Sequence, residues 1–144
     1  MMAAPEQATV GIALRRALFT FRQALQCQLR PLNLSLAHTG ILLALEQEDG
    51  LSGAELARRE TVTAQTMNQL VARLVERGLV ERRPHATHGR ILTLHLTEAG
   101  RQTLADGQAM AAVVERCMLN GFSPAERQRL LRDLERCVTA LGSQ

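Results

Sequence analysis

The chain has 144 residues, 46% of them apolar and 22% charged, which suits one folded domain and sets disordered and fibrous classes aside. No uninterrupted apolar stretch approaches the roughly 20 residues that cross a bilayer, and Met1 to Gln7 lacks the basic start and apolar run of a signal peptide. A cytoplasmic protein with no membrane partner is therefore expected.

The net charge of +3 is unevenly spread. Every basic side chain is an arginine. From Arg58 to Arg90 seven arginines face only Glu60, Glu76 and Glu81, whereas the rest of the chain carries ten arginines against eleven acids. A localised basic surplus is the footprint of a polyanion binder, although alone it also describes an ordinary solvated face.

In chain order, Pro5-Glu6 opens a long helical pattern with Val10, Leu14, Leu18, Phe21, Leu25 and Leu29 on one stripe, ending at Pro31. Ser35 precedes a second helix carrying Ile41, Leu42 and Leu45, closed by the Asp49-Gly50 turn. Ser52 and Glu55 have capping-box spacing for a short third helix, Gly53 to about Arg59. Thr63 caps a fourth, where Met67, Leu70, Val71 and Leu74 recur at helical spacing before Gly78. The period then changes. Leu79-Val80-Glu81-Arg82-Arg83, a turn-rich tip from Pro84 to Gly89, and Ile91 to Leu96 read as a β-hairpin with Leu92, Leu94 and Leu96 on one face. Thr97-Glu98 starts a long helix to about Leu119, and Ser123-Pro124-Ala125-Glu126 starts a last one, striped by Leu130, Leu131, Leu134, Cys137, Val138 and Leu141.

Two short helices joined by a tight turn and followed by a hairpin make the order of a winged helix-turn-helix. The expected fold is mainly α with a small β-hairpin, with long helices on either side of that module. On the fourth helix the face opposite the apolar stripe presents Gln65, Thr66, Asn68, Gln69 and Arg73 after Thr63. Asn and Gln pair bidentately with adenine and Arg with guanine, and a helix N-terminus favours phosphate. Arg82, Arg83 and Arg90 cluster on the hairpin, within reach of phosphates or a minor groove.

Leu51-Ser52-Gly53-Ala54-Glu55-Leu56-Ala57, Thr63 to Leu70, and Leu74-Val75-Glu76-Arg77-Gly78-Leu79-Val80-Glu81-Arg82 together resemble the MarR (multiple antibiotic resistance) regulators. The likeness continues through Arg90 to Leu96-Thr97-Glu98-Ala99-Gly100 and is strongest from Ser35 to Gly100. It implies a homodimer on pseudo-palindromic double-stranded DNA, acting as a repressor and released by a ligand or by oxidation. It also implies a division of the single domain, 1–144, into a DNA-binding lobe at 35–97 and a helical dimerisation region at 5–31 and 98–142. The terminal apolar stripes fit that division, since they need a partner surface. The family's wing carries an Asp two residues before its Arg, as a salt-bridge partner. Here His88 holds that place before Arg90. A histidine does not anchor Arg90 by charge and repels it when protonated, so pH-sensitive DNA affinity is expected with His88 among the DNA contacts.

The resemblance further implies a small aromatic or amphipathic anion as effector, between the dimer helices and the DNA-binding lobe. Arg16 and His38 are the expected carboxylate partners, near Arg15, Phe19 and Ile41. Cys27, Cys117 and Cys137 have no C-x-x-C spacing and read as reduced, buried, small apolar residues. Redox sensing through a cysteine stays an alternative, although the family's redox branch has its cysteine earlier in the first helix, beside tyrosines that this chain lacks. A winged helix used for protein contacts without DNA is the other alternative. RNA binding is disfavoured by the near absence of aromatic residues. No nucleophile elbow, phosphate loop, metal-ligand cluster or carboxylate pair is present in the sequence, so neither catalysis nor a cofactor nor a metal is expected.

Overall fold

The structure, a computed structural model, describes residues 9–142. Helix α1 (Val10–Leu29) begins at Thr9, whose Oγ1 accepts the Ile12 N–H. The described helix thus starts later than Pro5-Glu6 suggested, and those two residues lie outside the described chain. A 3-10 turn at Arg30–Leu32 contains Pro31 and ends on a left-handed Asn33. Helix α2 (Leu36–Gln47) is capped by Ser35, and His38 reaches back to the Ser35 N–H to complete a capping box. Strand β1 (Leu51–Ser52) runs straight into α3 (Gly53–Arg59), where Ser52 and Glu55 form the expected box. Then follow α4 (Ala64–Glu76), β2 (Val80–Pro84), β3 (Leu92–Leu96), α5 (Glu98–Met118) and α6 (Pro124–Gly142). Thr97 caps α5, and a Ser123–Glu126 box opens α6.

The sheet has the order β1-β3-β2 and is antiparallel throughout. The hairpin is as expected, but β1 is an extra strand. It pairs Leu51 with Leu94 and Ser52 with Thr93, and so fastens the base of the hairpin to the helices. Along the β2–β3 ladder, Thr97 N donates to Leu79 O and His85 N to Ile91 O. Antiparallel pairs alternate between bonded and non-bonded positions. Pro84, opposite Leu92, therefore falls at a non-bonded pair, where its missing N–H costs nothing. Leu94 and Leu96 are buried as expected, but Leu92, opposite Pro84 at the tip end of the ladder, is exposed.

One core unites α2, α3, α4, the sheet, the start of α5 and the end of α1. Ile41, Leu42, Leu56, Met67, Leu74 and Leu104 are among its fully buried members. The base of the hairpin and the start of α5 meet very closely: Thr97 Oγ1 donates to Gly78 O at 2.6 Å, and a Cβ on Gly100 would lie 2.0 Å from Leu79 O. Gly78 itself adopts φ 71°, the left-handed stop after α4.

The outer helices contrast with this. In α1 only Leu29 is buried, while Val10 is 80% and Leu18 53% exposed. Helix α6 buries no residue, and Val138 and Leu141 stand 72% and 75% exposed. The expected burial of Cys27, Cys117 and Cys137 fails within the single chain, where all three are exposed. They lie on α1, α5 and α6 surfaces for which one chain supplies no cover. Among the described residues no helix is long and apolar enough to cross a membrane.

Replacing Gly100 by Ala must push α5 off the hairpin, because the clash is with backbone rather than a mobile side chain. Urea unfolding should show a loss of about 2–3 kcal/mol, against little change for Gly89→Ala, where nothing lies within 4 Å of the added carbon. Equal midpoints for the two variants would contradict the close approach.

Candidate nucleic-acid interface

Helix α4 divides cleanly by burial. Met67, Val71 and Leu74 are buried and Leu70 packs partly against the core. Gln65, Thr66, Asn68, Gln69 and Arg73 are all exposed. Thr63 caps the helix by accepting the Thr66 N–H at 3.1 Å and also donates to the Thr66 hydroxyl at 3.0 Å. The Asn68 side chain leans on α3, since a Cβ on Gly53 would lie 3.7 Å from its Oδ1. The exposed face is uncharged for its first two turns and becomes basic at Arg73. Free backbone N–H groups at the cap add the positive end of the helix dipole to it.

The local arginine surplus is partly spent inside the protein. Arg77 donates to the carbonyls of Asn33 at 2.7 Å and Leu32 at 2.9 Å, tying the end of α4 to the turn after α1. Arg59 pairs with Glu48, and Arg83 with Glu81. Arg58, Arg73, Arg82 and Arg90 have no ion pair among the described residues, and all four are exposed. These four leave a positive surface around α4 and the hairpin.

The hairpin tip is organised by His85, which the sequence places in the turn-rich tip without a structural role. His85 Nδ1 accepts the N–H of Thr87 at 3.2 Å and of His88 at 3.1 Å, so the imidazole acts as an Asx side chain does in a turn. The His88 ring lies 5.4 Å from the His85 ring, and the His88 carbonyl accepts the Ile91 N–H. Among the described residues no carboxylate pairs with Arg90, in keeping with His88 standing where an Asp was expected. Among the described residues no group of three or more His, Cys, Asp or Glu side chains is placed to hold a metal ion.

A separate cavity of about 780 Å³ lies between α1 and α5. Arg16, Thr20 and Gln28 are polar groups on a wall otherwise made largely of Phe21, Val113, Val114 and Met118, with Cys27 and Cys117 on its edge. His38 does not line it, so Arg16 and His38 do not converge there. Ile41 belongs to the core, and Phe19 is exposed outside the lining. His38 instead serves α2. Its Nδ1 faces the Ser35 N–H and hydroxyl, while its Nε2 is buried with no hydrogen-bond partner among the described residues. Burial, and then the positive charges of Arg77 and Arg73, push its pKa below the ordinary histidine value.

Two short helices, with an exposed polar second helix and a basic hairpin beside it, define a winged helix-turn-helix protein. The comparisons agree with that class. Residues 32–91 match the model of the MarR family. The HTH-type transcriptional repressor Rv2887 of Mycobacterium tuberculosis is 32% identical over 135 residues, spanning 94% of this chain and 97% of the relative. The chain belongs to the MarR family. The crystal structure of Rv2887 in complex with DNA aligns at TM-score 0.81 and 30% identity, over 91% of this chain and 98% of that one. Its complex with salicylic acid aligns at 0.75 and 31%, over 93% and 99%. The reduced form of MarR from E. coli, at 20% identity, shares the fold with TM-score 0.83 over 92% and 98%.

The partial burial of the His38 imidazole makes a stability prediction. Its folded pKa lies below the unfolded value, so its contribution is fully present above about pH 6.5 and is lost as pH falls through the lower, folded pKa. His38→Gln keeps the capping-box geometry but removes the titration. Urea unfolding at pH 7.5 and pH 5 should show a smaller acid loss for the variant than for the parent. Identical acid losses would contradict the burial described for this ring.

Proposed function

We propose that the protein is a homodimeric, sequence-specific double-stranded DNA-binding repressor of transcription, acting in the cytoplasm by binding rather than by catalysis. Residues 35–97 form the DNA-binding lobe, and 5–31 with 98–142 the dimerisation region. Thr63, Gln65, Thr66, Asn68, Gln69 and Arg73 enter the major groove. Arg82, Arg83, His88 and Arg90 lie along the backbone and the adjacent minor groove. The observation that carries this reading is the juxtaposition of α4's exposed base-reading side chains with Arg73, Arg82 and Arg90, which have no ion pair among the described residues. Rv2887, which resembles this chain over nearly its whole length, has been solved on DNA.

The terminal helices support a second copy as partner. They expose Val10, Leu14 and Leu18 on α1 and Leu131, Leu134, Val138 and Leu141 on α6, and an isologous dimer buries the same patch on both copies. The proposed effector is a small aromatic or amphipathic anion, with Arg16 in the α1–α5 cavity as its charge partner. Rv2887 has been solved with salicylic acid and with p-aminosalicylic acid.

Titration of the intergenic DNA beside its own gene, at 50 and 200 mM salt, tests the proposal. Six to ten phosphate contacts predict a fall in affinity of about 10³–10⁵ between these conditions. Arg82→Ala should flatten the salt dependence by about one phosphate contact on any sequence. Asn68→Ala should cost about 1–3 kcal/mol and relax preference for the site. Salicylate added to the same titration should weaken binding in the parent and less so in Arg16→Ala. Salt-insensitive binding, or none by a folded dimer, would overturn the DNA reading.

A further inference from the structure

His95, in β3, stands between two hydrogen-bond partners. Its Nδ1 lies 2.9 Å from Asp49 Oδ1, in the turn that closes α2. Its Nε2 lies 2.8 Å from Thr93 Oγ1. Thr93 is buried, and its hydroxyl donates to the carbonyl of Arg83 at 3.2 Å, directly across the hairpin. The imidazole is largely covered, lying over Gly50, while Asp49 is open to solvent. A chain of contacts thus runs from the α2 turn to the wing strand that carries Arg82 and Arg83.

The hydrogens in this chain can be counted. A carboxylate only accepts, so Nδ1 carries a hydrogen toward Asp49. A threonine hydroxyl has one hydrogen to give. While Thr93 gives it to the Arg83 carbonyl, Nε2 must donate to Thr93 Oγ1, and the ring holds both protons. Once Nε2 loses its proton it becomes an acceptor. The hydroxyl hydrogen beside it is then drawn away from Arg83 to the ring. The Nε2 proton therefore decides which way the Thr93 hydroxyl points.

We propose that His95 is a positioning residue for the wing: its protonation directs the Thr93 hydroxyl to the Arg83 carbonyl, adding a side-chain bond to the backbone ladder that already pairs Arg83 with Thr93, and its deprotonation removes that added bond and loosens this point of the wing strand. The inference rests on the reading that this hairpin contacts DNA, and it makes DNA affinity fall as pH rises. The charged groups facing the ring are Asp49 from the α2 turn and Glu81, which stands opposite His95 in β2 and is paired with Arg83. On the α3 side, Glu55 is committed to the Ser52 N–H.

The test uses the full chain, with His85→Gln and His88→Gln silencing the imidazoles of the wing tip, followed by NMR from pH 5.5 to 8. The amides of Arg82 and Arg83 should shift with the same midpoint as the His95 ring. Adding Thr93→Val should leave the ring titrating while the Arg83 amide loses most of that shift. An Arg83 amide that stays still, or moves equally in the Thr93→Val chain, overturns the relay. With DNA, affinity should fall between pH 6 and pH 8 about three-fold more in the parent background than in Thr93→Val, the scale of one hydrogen bond. A merely structural Thr93 would lower affinity equally at both pH values, and such parallel profiles would overturn the positioning role. Correct amide behaviour together with no DNA binding by the unsubstituted chain at any pH would sink the DNA reading and leave the relay standing.

Discussion

The burial of Met67, Val71 and Leu74 is the constraint on which the other features of the molecule depend. Each such side chain contributes about 1.5–3 kcal/mol when removed from water. Three together approach the whole stability of a small domain, about 5–15 kcal/mol. Helix α4 cannot rotate without giving up that burial, so Gln65, Asn68, Gln69 and Arg73 are held outward by the core rather than by contacts of their own. The Thr63 cap fixes where the helix starts, and Arg77 anchors its far end to the Asn33 turn. A recognition surface made this way is rigid before any ligand arrives, which lowers the ordering cost of binding.

The wing is built on a different principle. Its base is secured by the Leu51–Leu94 pairing and the approach of Gly100 to Leu79, but its tip depends on polar contacts centred on His85. Pro84 interrupts no ladder bond, so the strand can carry arginines outward without losing register. The arginines themselves divide by role. Arg59, Arg77 and Arg83 have partners within the chain, whereas Arg73, Arg82 and Arg90 leave their charge to the solvent side.

Much of this was legible in the sequence because it is short-range. The caps at Ser35, Ser52, Thr63, Thr97 and Ser123 each act within three residues, so composition and spacing reveal them. The mainly α winged helix and its membership of the MarR family followed from the same local patterns. The features that escaped depend on residues distant in the chain. Leu51 and Ser52 form a strand only because β3, more than forty residues on, offers a partner edge. The Asp49–His95 contact spans 46 residues, and no spacing rule connects the two. Cys27, Cys117 and Cys137 were misjudged because an apolar stripe was equated with burial, and a single chain does not cover α1 or α6. The position of His38 outside the Arg16 cavity likewise depends on how α2 packs, which periodicity does not encode.

The uncovered helices and the outward face of α4 meet in one central claim: two copies join through their terminal helices and present two recognition helices to one side of a DNA duplex. Hydroxyl-radical footprinting on the protein's own upstream DNA tests this most directly. The account predicts two protected stretches whose centres lie about 10 base pairs apart, one helical turn, with tight binding lost when five base pairs are inserted between them. A single protected half-site, bound equally well with or without the insertion, would contradict it.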